Sequence, residues 1–219
     1  MSAADNPWLD IPLSDYEGHM SLPHIGQAHM IATQLATLIR AHAPKSVAVV
    51  GCAGGNGFEH LTAPGIERVV GIDINPDYIK QARERHAARI PGLELHVANI
   101  ESPALLHEPV ELIYAALVFE YVDVGAALRA LHRNVLQGGL LAVLLQVPHD
   151  SLAQVSPSPY TSLQRLGPGM RLVSPDELAQ RARQVGFMTL NEEELTSPAG
   201  KRFALLTLRA NPTQPNRGQ

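Results

Sequence analysis

A glycine-dense bend, GCAGGNG at residues 51–57, follows a short run of buried-strand character, VAVV at residues 47–50. Four glycines in seven positions leave the main chain open to close approach by another molecule, at a cost in order. About 22 residues after Gly51, Asp73 closes a second apolar run. A carboxylate there can accept hydrogen bonds from both hydroxyls of a ribose. Bend and acid point to a nucleoside-containing cofactor. Cys52 lies inside the bend without an evident activating partner, and reads as a small loop residue rather than a nucleophile. No His, Asp or Glu cluster has the spacing of metal ligands, so no metal is expected.

Those residues need a scaffold that gathers strand ends. Residues 46–51 (SVAVVG), 68–73 (RVVGID), 93–98 (LELHVA), 110–115 (VELIYA) and 140–147 (LLAVLLQV) read as strands. Several are nearly continuous in apolarity, as strands covered on both faces are. Helix signals lie between them. Asn75 caps a helix with Pro76 at its first position, running to a stop at Pro91-Gly92. Asp123 caps another that ends at Gly138-Gly139, and Ser174 with Glu177 forms a capping box. Residues 25–42 form a long amphipathic helix closed by Pro44, and a short helix is expected from about Asn56.

Strand–helix–strand repetition predicts right-handed crossovers and a parallel sheet between layers of helices. Residues 187–194 and 203–210 are separated only by LTSPAGKR, so they are predicted to pair as an antiparallel hairpin. The expected fold class is α/β: a doubly wound, mostly parallel seven-stranded sheet with an antiparallel C-terminal hairpin strand. Residues 99–109 carry only a weak helix pattern. Residues 148–171 make a long loop of the kind that serves as a lid or stays disordered.

Bulk properties narrow the classes. A chain of 219 residues, 45% hydrophobic and 17% charged, suits one domain with a sizeable core. Net charge is −4 without a basic stripe, which argues against nucleic acid as a partner. One cysteine excludes an internal disulfide framework and fits a reducing compartment. The first ten residues lack a basic region followed by an apolar core, and the longest apolar stretch is too short to span a bilayer. A cytoplasmic protein without membrane contact is the expectation; oligomeric state is left open.

A dinucleotide would require G-x-G-x-x-G with its pyrophosphate on helix N–H groups. The nearest frame, Gly55-Asn-Gly57-Phe-Glu-His60, lacks the third glycine, and the terminal hairpin is foreign to dinucleotide domains. That disfavours a nicotinamide-dependent oxidoreductase. Over residues 16–210 the sequence resembles instead the class I S-adenosylmethionine (SAM)-dependent methyltransferases, with their Rossmann-like fold. GCAGGNG (51–57) resembles the family's first motif, which meets the methionine part of SAM. GIDIN (71–75) resembles its acidic ribose motif, with Ile74 beside the adenine. VANI (97–100) resembles the segment at the adenine amine and ring face. LVFEYVD (117–123) resembles the stretch after the fourth strand, and LQGGLLAV (136–143) the glycine turn before the fifth. DYEGHM (15–20) resembles an N-terminal segment that folds over SAM in some bacterial members.

The resemblance implies SAM as cofactor and a set of binding residues: Tyr16, His19, Met20, Gly51, Cys52, Ala53, Gly55, Asn56, Gly57, Asp73, Ile74, Asn99, Ile100 and Leu117. Tyr16 would bond the methionyl carboxylate, with His19 and Met20 as a roof. It divides the chain into a cap segment (1–24) over the cofactor site, a methyltransferase domain (25–210) and a disordered tail (211–219). Three positions depart from the pattern: Val49 stands where the first motif usually begins with an acid, Ala53 replaces its middle glycine, and Asn99 replaces an acid.

Methyl transfer from a sulfonium is an in-line displacement, so the protein must align a nucleophile about 3 Å from the methyl carbon and exclude water. A nitrogen or oxygen nucleophile can also use a base titrating near neutrality. Glu120, just past the fourth strand, His149, opening the long loop, and His19 are the catalytic candidates, with Tyr121 on the same rim. Plainer roles fit them too: a solvated helix-start carboxylate, and surface or packing histidines. The Asn/Asp-Pro-Pro-Tyr sequence of nucleobase amino methyltransferases is missing; YAALVFEY (114–121) stands there. A small-molecule acceptor enclosed by residues 16–20 and 148–171 is favoured, with Tyr160 and Arg165 on its side. The alternative is a non-catalytic SAM-binding or partner-binding module of the same fold, kept open by Val49 and Ala53.

Overall fold

A computed structural model describes residues 6–148 and 153–211. Its sheet has seven strands: β1 (Ser46–Val50), β2 (Arg68–Asp73), β3 (Glu94–Val97), β4 (Val110–Ala116), β5 (Val135–Gln146), β6 (Phe187–Thr196) and β7 (Arg202–Ala210). Their order is β3-β2-β1-β4-β5-β7-β6. The first five run parallel, and β7 is antiparallel to both β5 and β6. Both the fold class and the terminal hairpin are as the sequence predicts. β1 pairs with β2 on one side and β4 on the other, so strand order reverses there and opens a crevice at the strands' C-terminal ends.

Five helices cover the faces: α1 (Leu13–Met20), α2 (Gln27–His42), α3 (Pro76–His86), α4 (Val124–Asn134) and α5 (Pro175–Gln184). The two-residue period of β1 divides the core. Val47 and Val49 pack with Leu35 and Leu38 of α2 and Ile79 of α3, whereas Ala48 and Val50 belong to the cluster holding Leu128 and Leu131 of α4 and Leu178 of α5. Both faces of the strand are dry, which explains its unbroken apolarity. At the hairpin edge, exposed Glu192, Glu193 and Glu194 on β6 discourage further strand pairing.

The predicted caps form. Asn75 Oδ1 accepts the N–H groups of Asp77 and Tyr78, Asp123 Oδ1 that of Ala126, and Ser174 Oγ that of Glu177. Helix ends differ from expectation. α3 stops at His86 rather than at Pro91-Gly92. α4 stops at Asn134, whose side chain bonds the Ala130 carbonyl and the Leu106 N–H, and β5 begins at once. Gly138, at φ 77°, therefore lies inside β5, near a register shift opposite β4, rather than closing a helix.

The glycine bend leads into a 3₁₀ turn, Phe58–Thr62, in place of an α-helix from Asn56. The long N-terminal helix starts at Gln27, after Gly26 turns the chain at φ 62°. α1 is an addition that the sequence reading did not contain. The loop after β5 holds a 3₁₀ segment, Thr161–Gly169. His149 and residues 212–219 of the expected tail lie outside the described residues. Among the described residues, no helix is long and apolar enough to cross a membrane, and no group of three or more His, Cys, Asp or Glu could hold a metal ion.

Candidate active site

The crevice at the ends of β1, β2 and β4 measures about 640 Å3 including its open mouth. Asp73 lies on its floor, 7% exposed. Its Oδ2 accepts the Ala53 N–H and its Oδ1 the Asn75 N–H, both at 2.9 Å. Backbone donors thus use only part of the carboxylate's roughly four acceptor positions. Burial pushes the Asp73 carboxyl up to about 6, opposed by the backbone N–H donors of Asn75, Ala53 and Ile74.

Three residues on the crevice wall have left-handed backbone: Gly51 at φ 67°, Ala53 at φ 47° and Leu117 at φ 57°. A Cβ at Gly51 would run into Val118 Cγ2, so only glycine fits there. Ala53 and Leu117 are not glycine and carry strain of the kind that gathers at functional sites. Leu117 is held by its N–H donating to the Leu144 carbonyl at 2.9 Å. Asn99 lines the same crevice; its Oδ1 is taken by the Glu101 N–H, which turns the amide NH2 into a free donor. Ile74 and Ile100 add apolar surface.

The opposite wall is aromatic. Trp8 meets Tyr16 edge-on at 5.6 Å and Tyr121 at 5.2 Å, and Tyr16 stacks on Tyr78 at 6.4 Å. The N-terminal segment bearing Trp8 is fastened to α3: Asn75 Nδ2 donates to the Trp8 carbonyl and the Tyr78 hydroxyl to the Ile11 carbonyl, both at 2.8 Å. Arg85 and Glu17 add a bidentate pair, and Ser162 Oγ donates to Asp15 Oδ2 at 2.6 Å. Burial, with Asp73 nearby, raises the Tyr16 hydroxyl far above its ordinary range, so it stays a donor.

A second crevice, about 540 Å3 with its mouth, adjoins the first. The two share Trp8, Tyr16, Leu117 and Tyr121 as a common wall. Beyond that wall the second is bounded by α1, the start of α2, the end of β5, the Thr161–Gly169 segment and the β6–β7 turn. Its polar groups are His19, Gln27, Gln146, Gln154, Ser156 and Lys201.

The expected residues divide. Tyr16, Gly51, Ala53, Asp73, Ile74, Asn99, Ile100 and Leu117 line the first crevice. His19 and Met20 line the second instead, so they do not roof the first. Cys52 turns into the core, its thiol raised by burial and by Asp73. Asn56 is occupied donating to the Ala28 carbonyl, and Gly55 faces His86. Gly57 lets α2 approach, since a Cβ would sit 3.3 Å from Ala32 Cα. None of these four lines the first crevice.

Glu120 is not on the rim. It is 1% exposed beneath it, Oε1 accepting the Gln146 N–H at 2.8 Å, and burial lifts it to about 7. Tyr160 packs against Gly18, and Arg165 is exposed beside Asp10; neither lines the second crevice. Missing from the expected set were Trp8, Tyr78 and Val118. A lone tryptophan beside a helix-breaking Asn-Pro, and a tyrosine five residues beyond Asp73, were the available signals.

Comparison with known proteins agrees with the strand order. Residues 48–143 match the family model described as a methyltransferase domain. The chain is 31% identical over 150 residues to a trans-aconitate 2-methyltransferase of Rhodopseudomonas palustris, covering 66% of this chain and 54% of that protein. It is 28% identical over 145 residues to a dTDP-3-amino-3,6-dideoxy-alpha-D-glucopyranose N,N-dimethyltransferase of Streptomyces fradiae, covering 60% and 55%. The chain thus spans about half the length of the curated relatives it matches. In fold it is similar to the N-methyltransferase NodS from Bradyrhizobium japonicum, solved with S-adenosyl-l-homocysteine (SAH), at TM-score 0.67 and 18% identity, over 95% of this chain and 100% of that one. The magnesium protoporphyrin IX methyltransferase from Synechocystis, solved with SAM, gives 0.63 at 13% identity, over 85% and 81%.

A seven-stranded sheet with a reversed penultimate strand position, a glycine bend tied to an acid on the next strand, and the matched domain define a class. The chain has the fold of the class I SAM-dependent methyltransferases, with a methyltransferase domain matched over residues 48–143.

Proposed function

We propose that this protein transfers the methyl group of SAM to a small-molecule acceptor, with the cofactor in the first crevice and the acceptor in the second. The observation that carries this reading is the shared wall: two crevices meet at Trp8, Tyr16, Leu117 and Tyr121, with a ribose-competent carboxylate at the far side of one. When bound, SAM supplies a methyl on a sulfonium, a group displaced in line with its electron pair left on sulfur. The chain's own residues bind, orient and exclude water. Asp73 accepts from the ribose hydroxyls. The Asn99 amide donates to an adenine nitrogen, and Ile74 and Ile100 cover the ring. Tyr16, Trp8 and Tyr121 gather at the crevice junction, where a ring face turned to the sulfonium favours that cation. Asn6, Trp8 and Tyr16 of the N-terminal segment then cap the cofactor.

The small-molecule acceptor is supported by the names of the relatives, one a trans-aconitate methyltransferase and one an amino-sugar dimethyltransferase, and by the enclosed second crevice. The non-catalytic alternative now rests on Val49 alone, because Ala53 keeps the left-handed turn expected of the glycine it replaces. The test is thermal denaturation with SAM and SAH, followed by mass spectrometry of a metabolite extract after incubation with SAM. Both cofactors should raise Tm by mass action, and a methylated small molecule should accumulate. No shift at millimolar SAM would refute the cofactor site; a shift without any methylated product would favour the binding module.

A further inference from the structure

We propose that the second crevice selects an acceptor bearing a carboxylate, and that Lys201 is the residue that holds it. This rests on the reading of that crevice as the acceptor site. Lys201 immediately precedes β7, in the turn of the terminal hairpin, and its residue is only 5% exposed. Its Nζ donates to the Gln154 carbonyl at 2.5 Å, one bond from a group with three donors. Among the described residues, no Asp or Glu lies within ion-pair distance of it. The rest of the crevice has the same bias.

His19, Gln27, Gln146 and Ser156 can all donate, and no acidic residue is among the residues lining the cavity. Gln146 and Lys201 converge on one acceptor, the Gln154 carbonyl, which fixes both side chains. A buried ammonium short of partners is unfavourable, and an incoming carboxylate offsets that cost where a neutral ligand does not. Desolvation lowers Lys201 to about 8, which leaves it mostly charged at neutral pH. Burial, with Lys201 and His24 nearby, lowers His19, which keeps it neutral and able to pair with Ser158 Oγ at 2.9 Å without adding a competing cation.

The test uses the full chain and calorimetric titration of succinate, fumarate and citrate, with dimethyl succinate as the neutral control, in the presence and absence of saturating SAH. Wild type should bind at least one of the acids and bind dimethyl succinate at least tenfold more weakly. Lys201→Met should lose tenfold or more in carboxylate affinity while its SAH affinity stays unchanged, and Lys201→Arg should recover most of the loss. Lys201→Met should also melt at or above the wild-type temperature without ligands, because Gln146 still satisfies the Gln154 carbonyl and a desolvated charge is gone. Equal affinity for acid and ester, unchanged carboxylate affinity in Lys201→Met, or no binding of any acid at millimolar concentration would overturn the proposal. Failure of SAH to bind wild type would count against the cofactor site instead, and leaves the carboxylate titration interpretable on its own.

Discussion

Asp73 and Ala53 hold each other in place: the carboxylate Oδ2 accepts the Ala53 N–H at 2.9 Å, and that N–H belongs to a residue turned into the left-handed region. The acid proposed to face the ligand is also the brace of the bend. Asp73→Ala is therefore expected to weaken SAH binding about 100-fold, equivalent to about 3 kcal/mol for two charge-assisted hydrogen bonds, and to lower Tm as well. Calorimetric titration measures the first effect and thermal denaturation the second. An unaltered dissociation constant in a folded variant would remove Asp73 from the site.

The same carboxyl gives a pH dependence. Its folded-state value, about 6, lies above its ordinary 3.8. A raised acid binds its proton more tightly when folded, so its contribution to stability is full below about 3.8 and lost as pH rises through about 6. Ligand affinity runs the other way, because only the ionised form accepts from both ribose hydroxyls. SAH affinity should be level above about pH 7 and fall about tenfold per pH unit below about 6, as titrations from pH 5 to 8 would record.

Ala53 tolerates its turn because its Cβ is small. Ala53→Gly should change stability by no more than about 1 kcal/mol, strain relief being set against greater freedom of the unfolded chain. Ala53→Val puts a β-branched residue at φ 47° in a position only 5% exposed, and should cost about 2 kcal/mol or more together with cofactor binding. Chemical denaturation of both variants checks the contrast.

Glu120 is a structural charge. Its Oε2 has no hydrogen-bond partner among the described residues, and burial raises it from 4.5 to about 7. Its contribution to stability is thus full below about 4.5 and lost as pH rises through about 7. Glu120→Gln should stabilise the protein at pH 8, by at most about 3 kcal/mol, and have little effect at pH 5. Comparing Tm at the two pH values tests the sign; destabilisation at pH 8 would mean that the ionised form has a partner there.

The parallel strands, their caps and the terminal hairpin were legible because each rests on local pattern: unbroken apolarity, Asn75 before Pro76, Asp123 and Ser174 at helix starts, Pro198 and Gly200 between two strands. Asp73 and the glycine bend were legible for the same reason, being close in sequence and fixed by strand ends. Glu120 was misplaced because no pattern distinguishes a carboxylate that starts a 3₁₀ turn in solvent from one that starts it under the β5 end. The glycine pair 138–139 has the pattern of a helix stop, whereas Asn134 ends the helix through its own side-chain bonds. The second crevice was legible in outline, since residues 16–20 and the loop after β5 both line it, but its polar set was not. His19, Gln146 and Lys201 meet only through tertiary packing, and Trp8 reaches the first crevice through bonds to Asn75 and Tyr78 that leave no periodic trace.

The turn between β6 and β7 closes on itself, Ser197 N–H donating to the Lys201 carbonyl at 2.8 Å and Gly200 N–H to that of Ser197 at 2.9 Å. Outside itself the turn meets Gly26 through Pro198 and the Gln154 carbonyl through Lys201. On the proposed reading, this turn contributes Lys201 to a crevice otherwise built, among the described residues, from the N-terminal helices, the ends of β4 and β5 and residues 154–170. Swapping that single turn among relatives is the smallest graft by which one scaffold could be redirected from one recipient molecule to another.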